Sequence, residues 1–127
     1  MLEEKNNSRK ILSDITVYMK YAKFVPELER KESWVELCQR NMEMHLKKFA
    51  HIDETVVLAS ETSFAEEIEN VYADFVLPKK VLPSMRSMHF AGKPIEISPN
   101  RIYNCAYMPI NDIACFNEAM FLLLGGT

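Results

Sequence analysis

Between Pro26 and Pro78 the chain contains neither proline nor glycine. Those two residues are the strongest local breakers of regular structure, so this stretch is free to be helical along its length. Inside it, Ser33 is followed three positions later by Glu36. At that spacing each side chain accepts a hydrogen bond from the other residue's backbone N–H, closing a helix N-terminus. Trp34, Leu37, Cys38, Met42, His45 and Phe49 then recur at helical spacing, which predicts an amphipathic helix over Trp34–Phe49. Cys38 and His45 fall on or near its apolar face and read as core or boundary groups rather than ligands. A second helical zone is expected over Asp53–Phe75, broken near Ser60–Ser63, with Ser63 and Glu66 repeating the capping spacing.

The flanks are less regular. The first ten residues are polar and predict a frayed end. "ILSDITVYMKYAKFVPEL" carries strand-like and helix-like periods together, so both readings stay open up to Pro26. From Leu82 to Pro99 three prolines and a glycine predict an irregular loop. "IYNCAYMPI" is a β-branched and aromatic run between turn formers and reads as one buried strand. Asn111 or Asp112 then caps a helix over Ile113–Leu124, with Gly125 at its C-terminal end. The expected fold class is therefore mainly α with one or two short strands. It divides into a lead-in over 1–30, a helical region over 31–80 and a loop–strand–helix unit over 81–127. A single strand cannot satisfy its own edges, so its neighbours are expected from elsewhere.

Bulk properties exclude several function classes. The 127 residues fit one domain, and 48% hydrophobic content is enough for a core. A net charge of −3, with basic pairs scattered at Arg9/Lys10, Lys47/Lys48 and Lys79/Lys80, gives no stripe for DNA. The longest apolar run, around Ala119–Leu124, is too short to span a bilayer, and the charged N-terminus has no signal-peptide character. Cys38, Cys105 and Cys115 are odd in number and widely spaced, which argues against a disulfide framework and against a zinc site. These features predict a cytoplasmic protein with reduced thiols, no membrane partner and no metal. Ser84, Ser87, Arg86 and Gly92 offer groups for an anion or else form an ordinary surface loop. Cys105 reads either as a core thiol or as a group at a strand's mouth.

"VLPSMRSMHFAGKPIEISPNRIYNCAYMPINDIACFNEAMFLLLGGT", residues 81–127, resembles the catalytic subunit of ribonucleotide reductases. The similarity is to the stretch where that family passes from its helical N-terminal region into a ten-stranded α/β barrel. It rests on the small-hydroxyl loop "LPSMRSMHFAG", the "NC" of the first barrel strand, the aspartate opening the next helix, and the glycine-rich turn. Upstream, "RKESWVELCQR" is similar to the R-x-E-[ST]-W helix start of catalytic regions that lack an ATP-cone.

The resemblance implies roles residue by residue. Cys105 matches one of the two cysteines that become a disulfide while reducing the ribose 2′-carbon. Ser87, and second Ser84, match the loop hydroxyl that bonds the substrate phosphates. Asn104 stands where a serine is more familiar and approaches the same phosphates. Asp112 matches the aspartate at the deoxynucleotide effector site, and Gly126 and Thr127 open the turn whose amides bind substrate. Cys38 and Cys115 are left with packing roles.

The implied partners are a ribonucleoside di- or triphosphate, a deoxynucleotide effector and a thioredoxin-like or dithiol reductant. The implied radical source is adenosylcobalamin bound outside these residues, or alternatively a metal-containing radical subunit. The radical cysteine, the second redox cysteine and the remaining strands lie downstream in the family. The expectation is thus a split reductase whose second chain supplies them, inactive alone, with an interrupted gene or an intein explaining a stop in the glycine turn. The rival is a non-catalytic helical binding or regulatory module of reductase ancestry.

Overall fold

A computed structural model describes residues 2–55 and 63–126, with side chains for 6–52 and 63–126. Residues 11–20, ambiguous in sequence, are helical, within α1 (Leu2–Lys20), which also takes in most of the first ten. The chain then makes a two-stranded antiparallel hairpin, β1 (Phe24–Val25) and β2 (Arg30–Lys31), paired Phe24 to Lys31 and Val25 to Arg30. Pro26 opens the 3-10 turn between them, and Glu29 closes it at φ 50°. This hairpin is the only sheet among the described residues; β1 falls in the stretch whose strand reading stays open in the sequence, and β2 where no strand was expected.

The Ser33–Glu36 capping box forms. Glu36 accepts the Ser33 amide at 2.7 Å, and Ser33 Oγ accepts the Glu36 amide at 3.4 Å. Arg30 grips the same carboxylate with both Nη atoms at 2.8 Å. That grip, followed by the Ser33 bonds, pulls the Glu36 carboxyl down to about 2. From this cap α2 (Trp34–Thr55) runs past the expected end, with non-helical backbone at Phe49 marking a kink. Its buried face is Leu37, Cys38, Asn41 and Met44.

Ser63 Oγ accepts the Glu66 amide at 3.2 Å and opens α3 (Phe64–Val71). The expected break near Ser60–Ser63 otherwise lies outside the described residues. A π-helical turn, Tyr72–Val76, continues α3 and rotates Tyr72 and Val76 inward against Cys38. Trp34, Met42 and Ile68 pack around that cluster. Beyond Pro78, Lys79 takes φ 60° and reaches back to α1, bonding Ser13 Oγ at 2.8 Å and Asp14 at 3.1 Å.

The expected loop over Leu82–Pro99 is instead two short helices, α4 (Met85–Phe90) and α5 (Lys93–Ile97). Ser84 caps α4 by accepting the Ser87 amide at 3.1 Å. Pro94 lies in the first turn of α5, where its missing N–H costs nothing. A 3-10 turn, Pro99–Ile102, follows. The expected strand is absent: residues 103–111 carry no strand pairing, and Cys105 is exposed rather than buried. Their backbone finds no neighbouring strand among the described residues, and an extended segment without one is not a sheet. The last helix, α6 (Cys115–Leu124), starts two residues later than expected. No helix among the described residues is long and apolar enough to cross a membrane.

Candidate functional site

The site is built outward from α2. Arg40 holds Glu32 through Nε at 2.7 Å and Nη2 at 2.9 Å, and both residues are largely buried. Burial pushes the Glu32 carboxyl up, but hydrogen bonds from Arg40 and the Lys23 amide outweigh it and leave the group below its ordinary value. Arg40 also donates to the carbonyls of Ala91 at 2.9 Å and Met88 at 3.2 Å. Lys23 Nζ reaches the same Ala91 carbonyl at 2.8 Å. Burial, then the neighbouring Arg40 charge, lowers the Lys23 pKa, although Glu32 opposes this. Two cations thus meet the carbonyl end of α4, the favourable pole of its backbone dipoles.

The middle of α4 is fixed by neutral groups. Asn41, fully buried, donates from Nδ2 to Ser87 Oγ at 2.8 Å and accepts the Tyr72 hydroxyl on Oδ1. Burial pushes the Tyr72 phenol up to about 12 and the Cys38 thiol up to about 11, so both stay neutral at physiological pH. Burial also lowers the His45 pKa. His89 Nδ1 lies 2.7 Å from the Lys20 carbonyl, joining α4 to the end of α1.

From this anchored helix Arg86 points to the C-terminal segment. Its Nε donates to Asn104 Oδ1 at 3.0 Å and its Nη1 to the Gly126 carbonyl at 2.7 Å. Arg86 therefore joins the residue before Cys105 to the glycine turn, groups 22 positions apart in the chain (126 minus 104). Gly125 packs on Asn100 so closely that a Cβ there would lie 2.1 Å from Asn100 Nδ2.

The residues singled out by sequence distribute unevenly. Asn104 and Gly126 meet at Arg86, Cys105 follows Asn104 with its thiol exposed, and Ser84 caps the helix that carries Arg86. Ser87 does not join them: its hydroxyl is buried against Asn41, which leaves Ser84 the better exposed of the two loop hydroxyls. Asp112 is exposed and accepts the Cys115 amide on Oδ1 at 3.1 Å, in the turn that leads into α6; the residue flanking that helix is Ala114, which makes no side-chain cap, rather than the expected Asn111 or Asp112. Thr127 lies outside the described residues. Among the described residues no group of three or more His, Cys, Asp or Glu side chains is placed to hold a metal.

Sequence reasoning missed Arg40, Glu32 and Asn41 as the framework of the site. Asn41 left a signal: a polar residue on the apolar face of α2, between Cys38 and Met44. A mostly apolar groove of about 460 Å³ lies between α2 and the α5 region, lined by Met44, His45, Phe49, Ile95, Ile102 and Tyr103. No protein-family model, curated protein or solved structure matches the chain.

Proposed function

We propose that these residues form the N-terminal part of a ribonucleotide reductase catalytic subunit, acting in the cytoplasm together with the remainder of that subunit. One observation carries the reading: Arg86 joins Asn104 to Gly126 beside an exposed Cys105 thiol. Asn104, which the resemblance assigns to the substrate phosphates, is thereby linked at one side chain to Gly126, whose turn the resemblance assigns to substrate binding. The stretch 103–111, unpaired here, is in this reading the first strand of the ten-stranded barrel, paired when the remaining barrel strands are in place.

The chemistry asks little of this chain beyond placement. The thiols of Cys105 and of a cysteine in the remainder of the subunit give two electrons and two protons. The ribose 2′-hydroxyl leaves as water, the 2′-carbon gains a hydrogen, and the two sulfurs join as a disulfide. A dithiol reductant then exchanges with that disulfide, which requires the Cys105 sulfur to be reachable. Ser84 Oγ–H and Asn104 hold the substrate phosphates and the backbone amides of the turn opening at Gly126 bind substrate, giving hydrogen bonds without burying a free cation. Asp112, at the start of α6, contributes to the effector site. Adenosylcobalamin or a metal-containing subunit supplies the radical and is held outside these residues.

The test is reconstitution with a reductase fragment carrying the remaining barrel strands. Dithiol-driven reduction of a ribonucleotide is expected from the assembly, and Cys105→Ser is expected to reduce multiple turnover to background. Undiminished turnover in that variant, or no affinity between the two chains, sinks the proposal. Running the assay with adenosylcobalamin or with a metal-containing subunit assigns the radical source. A binding module is the second reading, favoured by the apolar groove beside α5, whose volume suits a small ligand. Assembly without turnover would point there.

A further inference from the structure

We propose that Arg86 is a positioning residue, a clasp that fixes both ends of the strap formed by residues 103–126 to the anchored helix α4. At the first end, the Tyr103 amide donates to the Asn100 carbonyl at 3.1 Å, and the next residue, Asn104, accepts Arg86 Nε at 3.0 Å. At the second end, Gly126 gives its carbonyl to Arg86 Nη1 at 2.7 Å while Gly125 rests against the Asn100 side chain. Between the ends, among the described residues, no backbone–backbone hydrogen bond involves residues 104–112. The polar restraint on the strap is therefore concentrated at its two closely held ends.

The guanidinium suits this task. It is planar, permanently charged and presents several N–H groups in fixed directions, so one side chain can hold two carbonyl-type acceptors at once. A lysine offers a point charge on a flexible stem and cannot hold both directions. The guanidinium is itself steadied by the Phe90 ring, 5.5 Å away. The far end of the same helix is held by Arg40 and Lys23 on the Ala91 carbonyl. Burial does not replace the clasp, because Phe116, Phe121 and Leu124 of α6 are exposed.

The clasp stands on the geometry alone; its consequence for catalysis rests on the reductase reading. Hydrogen exchange on the full chain separates the two. In Arg86→Gln the α6 amides are expected to exchange about tenfold faster, with α2 amides and the melting midpoint unchanged. Arg86→Lys should fall between. Unchanged α6 exchange overturns the clasp, as does acceleration spread equally over α2, or a wild-type α6 with no protection. In the assembly with the reductase remainder, Arg86→Gln should slow turnover about tenfold by misplacing Asn104 and Cys105 together. Unchanged turnover there removes the catalytic consequence. A wild-type assembly without turnover overturns the reductase reading, and the exchange result still decides the clasp.

Discussion

Asn41 shows how one residue sets the position of a helix. Its amide bridges two hydroxyls, Ser87 on α4 and Tyr72 on the π-helical turn, in a region without solvent. Asn41→Leu strands both hydroxyls and is expected to cost about 2–4 kcal/mol in chemical denaturation. Ser87→Ala, which leaves the Tyr72 bond in place, should cost less, about 1 kcal/mol. The three thiols separate on the same physical grounds. Cys105 is exposed, Cys115 half-buried and donating to the Asp112 carbonyl, and Cys38 buried with its pKa pushed up to about 11. Alkylation followed by peptide mass mapping should therefore modify Cys105 first and Cys38 last. Early loss of Cys38 would contradict the burial.

At the scale of elements, α2 depends on its N-terminal cap. Ser33→Ala removes one half of the capping box and should lower thermal stability by about 1 kcal/mol. The other half is pH-dependent, and its sign follows from the direction of the shift. Arg30 and Ser33 hold the Glu36 carboxyl down at about 2, below its unfolded value. The stabilisation is thus present above about pH 4.5 and is lost as pH falls towards about 2. Melting curves of wild type and Glu36→Gln should differ at pH 6 and converge near pH 2. A different device attaches α1. Lys79, at φ 60°, bonds Ser13 and Asp14 and sits 5.1 Å from the Trp34 ring centroid. Lys79→Gly relieves the left-handed backbone while deleting those contacts, so overall stability should change by less than about 1 kcal/mol. Limited proteolysis should nevertheless cut α1 faster.

Across the whole molecule, the helices α2, α3 and α4 form a tied body, and the strap over 103–126 lies on it with much apolar surface uncovered. Tyr107 is 96% exposed, and Ile110, Ile113, Phe121 and Leu124 are exposed with it. Surface of this kind marks an interaction face. If the reductase fragment used for reconstitution docks there, alkylation of Cys105 should slow at least about tenfold on assembly; an unchanged rate would place that fragment elsewhere.

The amino-acid pattern established α2 and its start and the opening of α3 at Ser63, because capping and apolar periodicity act within one or two helical turns. It misread Leu82–Pro99, where α4 and α5 are too short to show a period and where Pro94 sits in a first turn that tolerates it. It also read residues 102–110 as a strand from composition, although a strand exists only where a second one supplies its hydrogen bonds. The Arg86 clasp was beyond local reading, since its partners lie 18 and 40 residues away. The same holds for the burial of Ser87, which depends on Asn41, 46 residues earlier. Local chemistry chose where helices begin; packing of distant segments chose which hydroxyl is buried, which thiol is free and which side chain holds them in place.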